Sequence, residues 1–159
     1  MSRYTDLAYE QDEGDGIFDL VIEDGDLAVT DGLEPAFLVS LFSDRRADES
    51  EVGDPRKRRG WIGDLVAKTP RDRHGSGIWL YEQHRLVAGV AAGVRTEADQ
   101  SLDWMVDEQI LSYVESEVVA VPASRQLQLF MTAHFIDGSV TSHAFVLADA
   151  TRAGIIARL

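Results

Sequence analysis

Cysteine is absent from the 159 residues, so disulfide staples and thiolate metal sites are excluded, and stability rests on packing, strand pairing and subunit contact. Long apolar runs are missing as well: none approaches the roughly 20 residues that a membrane helix requires. The opening segment MSRYTDLAYEQDEGDG has no apolar stretch behind a basic one, and a soluble chain without a secretory signal, made in a cytosol, is the expectation. Positive charge is scarce. Acidic residues number 28 against 15 basic ones, a formal net charge of -13, which repels phosphate backbones at long range and argues against a nucleic-acid partner. The phosphate-cradling loop, the dinucleotide fingerprint, the zinc-protease helix motif and the nucleophile elbow are all missing, so neither enzymatic activity nor a cofactor is expected.

What remains is a chain with 45% hydrophobic and 27% charged residues, a composition that fits one globular domain over residues 1–159. Its few basic residues are clustered at Arg45-Arg46, Arg56 to Arg59 and Lys68 to Arg73. Such clusters suit a complementary protein surface; equally, the flanking Asp48-Glu49-Ser50-Glu51 run neutralises them within the chain.

Periodicity places the elements. Short apolar segments on either side of Glu23-Asp24-Gly25-Asp26 predict an N-terminal β-hairpin, since Asp-Gly accepts the positive φ angles of a tight turn. Asp31 and Glu34 have capping-box spacing, and Phe37, Leu38, Leu41 and Phe42 recur at helical spacing, predicting a helix that ends near Arg45-Arg46. There the two arginines would meet the negative end of the helix dipole. Residues 47–75 form a long charged loop, and loops of that length are usually functional or disordered. Glycines weaken the helical reading of Leu86 to Val94, whereas Thr96 and Asp99 open a helix whose inner face carries Ala98, Leu102, Met105, Val106 and Ile110. Tyr113 to Val121, followed by the strict alternation from Leu127 to Phe135 and an Asp137-Gly138 turn, predicts a three-stranded antiparallel meander packed on that helix. A two-residue turn would set Met131 opposite Ala144 and Leu129 opposite Val146, and would bring His134 and His143 diagonally onto one face. Two histidines are too few for a zinc site, so no metal is expected. A short helix closes the chain between Asp149 and Leu159. The fold class is α+β.

Trp61, Trp79 and Trp104 sit among apolar neighbours and read first as core anchors, then as contact residues. Asp44, Arg45 and Arg46 with Trp61 and Trp79 are the candidate partner interface.

Several ordered blocks carry a family likeness. Asp24-Gly25-Asp26-Leu27, Asp31-Gly32-Leu33, Ser40 to Ala47, Arg58 to Asp64 and Gly75-Ser76-Gly77-Ile78-Trp79 resemble the Mu-like phage tail baseplate protein family. That family usually has a second Trp where Ile62 stands and a basic residue where Gly77 stands. It looks related to the wedge subunit of T-even phages that initiates the contractile sheath, although Asp107-Glu108-Gln109 stands here in place of its Glu-Pro-Arg motif. The resemblance implies a structural subunit that docks on wedge and hub proteins and offers strand edges to the tail sheath. It implies residence in the virion tail baseplate, with assembly in the host cytoplasm. β-Augmentation is a physical route for such contacts, with the first hairpin and the Leu127 to Ala148 hairpin as templates. Self-association, a domesticated prophage particle and a lysozyme-like peptidoglycan hydrolase are the open alternatives.

Overall fold

A computed structural model describes residues 5–11, 18–65, 73–81, 88–124, 126–148 and 152–158. Lys68 and Leu86, which open the third basic cluster and the glycine-weakened helical stretch, lie outside these described residues. The N-terminal part holds six short strands: β1 (Thr5–Leu7), β2 (Tyr9–Gln11), β3 (Phe18–Leu20), β4 (Ile22–Glu23), β5 (Asp26–Leu27) and β6 (Val29–Asp31). They form three antiparallel two-stranded ladders, β1 with β6, β2 with β3 and β4 with β5. All three meet at one node, where the Ala8 amide donates to the Ala28 carbonyl at 2.8 Å, Ala28 to Val21 at 2.9 Å and Val21 to Ala8 at 3.0 Å. Isolated ladders of two or three residues are unstable in water; the cyclic node pairs the backbone groups at which each strand breaks. Of the hairpin expected between Ile17 to Ile22 and Leu27 to Thr30, the tip β4/β5 forms, turned by Asp24 at φ 52° and Gly25 at φ 84°, the paired positive angles of a type I′ turn; beyond it β3 pairs with β2 and β6 with β1 instead.

Helix α1 spans Glu34–Phe42 and buries Phe37, Leu38 and Leu41. The expected capping box does not form: Asp31 pairs with Thr5, and the N-cap is Leu33, with no side-chain cap. The helix stops at Ser43, whose backbone is extended, and no basic residue occupies the last turn. The helix-dipole role expected for Arg45 and Arg46 is therefore lost. Among the described residues, the 3-10 turns Pro55–Lys57, Ile62–Leu65 and Ile78–Tyr81 punctuate the connection from this helix to the second.

Helix α2 runs from Ala88 to Asp107, eight residues ahead of the expected start. Thr96 is not its cap; the hydroxyl donates to the Ala92 carbonyl one turn back at 3.1 Å. The glycine penalty is outweighed by packing, because the helix carries a continuous inner stripe of Val90, Val94, Ala98, Leu102 and Met105, all buried. At Gly93 the missing Cβ admits the phenol ring of Tyr81. Val106 points outward, exposed.

The C-terminal sheet consists of β7 (Leu111–Val121), β8 (Gln126–Phe135), β9 (Val140–Ala148) and β10 (Arg152–Arg158) in the order β10-β9-β8-β7, every pair antiparallel. The predicted meander is β7 to β9. A fourth strand, β10, replaces the expected C-terminal helix: its backbone pairs with β9, which satisfies amides and carbonyls that a short terminal helix leaves unpaired. Because β8 and β9 are each paired on both sides, the Leu127 to Ala148 hairpin has no free edge and is no template for augmentation; β7 and β10 are the edges.

The register also differs by one residue from the expectation. Gly138 at φ 87° donates to the Phe135 carbonyl, and Phe135 donates to Ser139, which makes a three-residue loop closed by a left-handed glycine rather than a two-residue turn. Met131 therefore faces His143 and Leu129 faces Phe145. A one-residue shift swaps sheet faces, so His143 is buried, its ring 5.5 Å from that of Phe37, while His134 stacks on Tyr113 on the other face. The two histidines share no site. Phe37, Leu41, Leu102, Met105, Leu129, Met131 and Phe145 form the main core between the helices and this sheet.

Candidate interface around the long loop

Past the end of α1 the chain turns extended, and Asp44 bridges to Ser76 in parallel. The Ser76 amide donates to the Ser43 carbonyl at 2.9 Å, Arg45 donates to the Ser76 carbonyl at 2.9 Å, and the buried Ser76 hydroxyl reaches the Leu41 carbonyl at 2.5 Å. This stitch ties the two ends of the charged loop together. It satisfies carbonyls that the helix leaves unpaired.

Arg45 is the centre of the arrangement. Its guanidinium takes Glu51 from the loop at 2.7 and 3.0 Å and Glu97 from α2 at 3.0 and 3.1 Å. Only 13% of the Arg45 side chain and 12% of the Glu97 side chain are exposed. Its pKa is raised, first by the hydrogen bonds it donates to Glu51, while burial opposes the shift. Gly77 makes room for this pair: its amide donates to Glu97 Oε2 at 3.0 Å, and a Cβ there would fall 2.3 Å from the same oxygen.

Arg46 points the other way, its guanidinium donating to the Arg59 carbonyl at 3.1 Å and to the Pro55 carbonyl at 3.4 Å. Asp44 accepts from Arg59 at 3.1 Å, and the Arg59 guanidinium lies 4.6 Å over the Trp79 ring. Trp79 in turn donates to the Arg45 carbonyl at 2.9 Å. Four of the five candidate residues are thus joined in one network. The fifth, Trp61, stands apart with its ring folded over Gly63 and 58% exposed. Trp104 is exposed as well, with its N–H on the Ser40 hydroxyl at 3.0 Å. Neither indole is the core anchor expected from its apolar neighbours: the sheet-facing stripe of α2 is already filled by smaller side chains, which leaves Trp104 outside it, and Trp61 packs on Gly63 and His74.

The acidic run neutralises the basic clusters as the charge pattern suggested: Arg45 pairs with Glu51, Arg73 with Asp48 at 2.8 Å and Arg58 with Glu49 at 3.9 Å. Glu97, seated on α2 fifty-two positions from Arg45, was invisible to that reasoning; no local spacing marks it. The Glu51 carboxyl is held below its ordinary 4.5 chiefly by the Arg45 hydrogen bond, and Asp48 below its ordinary 3.8 chiefly by Arg73. A depressed carboxyl pKa contributes stability above the unfolded value, and that stability is lost as pH falls through the folded one. Melting temperature is therefore expected to drop as pH goes below 4.5, with a shallower drop in Glu51→Gln; identical pH profiles for the two proteins would refute the linkage.

Two surface depressions accompany the network. A cleft of 380 Å³ lies among β1, β2, α1, the loop and α2, with Tyr9, Trp61, Asp64 and Trp104 in its walls. A shallower groove of 710 Å³ runs between α2 and β7, with Ala91, Ala92 and Thr96 on one side and Glu117 to Ala120 on the other. Asp103 is a carboxyl pushed up by burial and by its neighbours Asp107 and Asp99; it lines neither depression. Among the described residues, no helix is long and apolar enough to cross a membrane.

Residues 33–140 match the family described as phage protein GP46. The chain is 30% identical to the baseplate protein gp46 of Escherichia phage Mu over 146 residues, covering 91% of this chain and 97% of that protein. It is 28% identical to the Mu-like prophage FluMu protein gp46 of Haemophilus influenzae over 141 residues, covering 89% and 95%.

Proposed function

Since the chain belongs to the phage protein GP46 family, we propose that it is a structural subunit of a phage tail baseplate, joined to wedge and hub proteins and offering a strand edge to the first ring of a contractile sheath. The observation that carries the finer part is the edge of β7. It is the longest strand of the sheet at 11 residues, among the described residues it has β8 on one side only, and the groove beside it is walled by small residues of α2. An unpaired edge presents a row of amides and carbonyls that an added strand completes. Alanines at 91 and 92 leave room for that strand's side chains.

The residues around the long loop fit the same role as organisers. Asp44, Arg45, Arg46 and Trp79 hold the loop in shape by the contacts above, and the exposed Trp61 and Ile62 project from it as apolar contact area of the sort that concentrates binding energy.

Affinity capture of the tagged chain, co-expressed with the genes that flank it, tests this reading alongside an assay of peptidoglycan release. Wedge, hub or sheath proteins are expected in the eluate, without hydrolysis. Lysine at the half-exposed Val119, beside the β7 edge, is expected to lower recovery of the strand-donating partner about tenfold while leaving folding unchanged. Hydrolysis that is lost on changing one carboxylate, with no tail protein recovered, would replace the assembly role by the lysozyme-like one.

A further inference from the structure

The 380 Å³ cleft is built unlike a leftover gap. Five segments converge on it, and its walls are rings with exposed faces: Trp61 at 58% and Trp104 at 42% exposure, with Tyr9 and His74 beside them. Both indoles are fixed. Trp61 lies over Gly63, where any Cβ would strike the ring, and packs on the His74 imidazole at 5.4 Å; Trp104 is anchored by its N–H to the buried Ser40.

Asp6 and Asp64 bring carboxylates to the same walls. Asp64 accepts the His74 amide on Oδ1 at 3.2 Å, whereas Oδ2 is buried and, among the described residues, has no hydrogen-bond partner. A carboxylate with an unused acceptor in a cleft wall can take a hydrogen bond from an entering donor. Arg73 also lines the cleft, but its guanidinium is engaged by Asp48 at 2.8 Å. Among the described residues, the guanidinium that lines the cleft is therefore already paired. A guanidinium stacks on aromatic faces and donates in a fork to a carboxylate, which an ammonium does less well.

We propose that this cleft receives an arginine side chain presented by a neighbouring protein, its guanidinium between the Trp61 and Trp104 rings and paired with the Asp6 and Asp64 carboxylates of the walls. The source of the arginine rests on the assembly reading above; binding of a free guanidinium compound does not, so the two fail separately.

The test is a titration of the ¹⁵N-labelled full chain with N-acetyl-arginine amide, following the three indole N–H signals. The Trp61 and Trp104 signals are expected to shift and saturate while Trp79, outside the cleft, stays in place. N-acetyl-citrulline amide, of the same shape but uncharged, is expected to give no saturation. Asp64→Asn is expected to weaken binding about tenfold or more, the usual worth of a hydrogen bond to a charged group. Asp6→Asn gives a second reading should Asp64→Asn fail to fold. Equal shifts with the citrulline compound, shifts indifferent to both substitutions, or saturation of the same two signals by a chitin oligosaccharide instead would each overturn the assignment.

Discussion

Replacing Arg45 by methionine is expected to lower the free energy of unfolding by about 3 kcal/mol, the range found when one member of a largely buried ion pair is removed. Methionine keeps most of the apolar stem, so the loss is electrostatic. Glu97, with 12% of its side chain exposed, would be left with the Gly77 amide as its remaining neutral donor, and Glu51 would lose both contacts to the guanidinium. Urea unfolding of Arg45→Met, Glu97→Gln and the double variant measures this directly. The two substitutions should fall short of additivity by more than about 1 kcal/mol, as contacting residues do. Strict additivity would mean that the geometry overstates the pair. A solvent-facing Arg45 that acted on a partner alone would leave unfolding unchanged and impair only baseplate incorporation, so the same variant separates clamp from contact residue.

That clamp shows where sequence reasoning runs out. The elements with a strict period were legible: the Leu127 to Phe135 alternation gave β8, and Asp24-Gly25 gave its hairpin, because side-chain period and turn chemistry are local properties. The four apolar positions of α1 were equally plain. Errors arose where a distant partner decided. Whether Gly89 and Gly93 interrupt α2 depends on the ring of Tyr81 and on a second apolar cluster with Leu127, and both lie outside any helical window. A one-residue difference in the loop at Asp137-Gly138 reversed the faces of β9 and separated His134 from His143. Of the candidate site, the residue types and their order were readable, but their division of labour was not. Arg45 turned inward because Glu97 and the Gly77 gap are waiting across the fold, and Trp61 stayed outside because it packs on Gly63 and His74.

The largest single-atom effect is expected at Gly75. Its φ of 85° is one that L side chains seldom adopt, and an added Cβ would sit 2.2 Å from the Ser43 carbonyl oxygen and 2.6 Å from its carbon. Those atoms are backbone and have little freedom to yield, since the same carbonyl accepts the Ser76 amide and the next residues complete the bridge through Arg45. Alanine must therefore either bear the strain or break the stitch. Breaking it strips the buried Ser76 hydroxyl of the Leu41 carbonyl and shifts Arg45, whose own carbonyl holds the Trp79 N–H. Gly75→Ala is expected to cost about 3 kcal/mol or more, at the diagnostic end for point substitutions. Gly138 supplies the control: its φ is 87°, yet nothing lies within 4 Å of its would-be Cβ, so Gly138→Ala should cost only about 1 kcal/mol from backbone conformation. Denaturant midpoints for the two variants isolate the steric contribution. Equal losses would assign the whole effect to the positive φ and leave no role for the Ser43 contact, whereas the expected gap would identify the stitch between the loop ends as the element that keeps Asp44, Arg45 and Trp79 in one network.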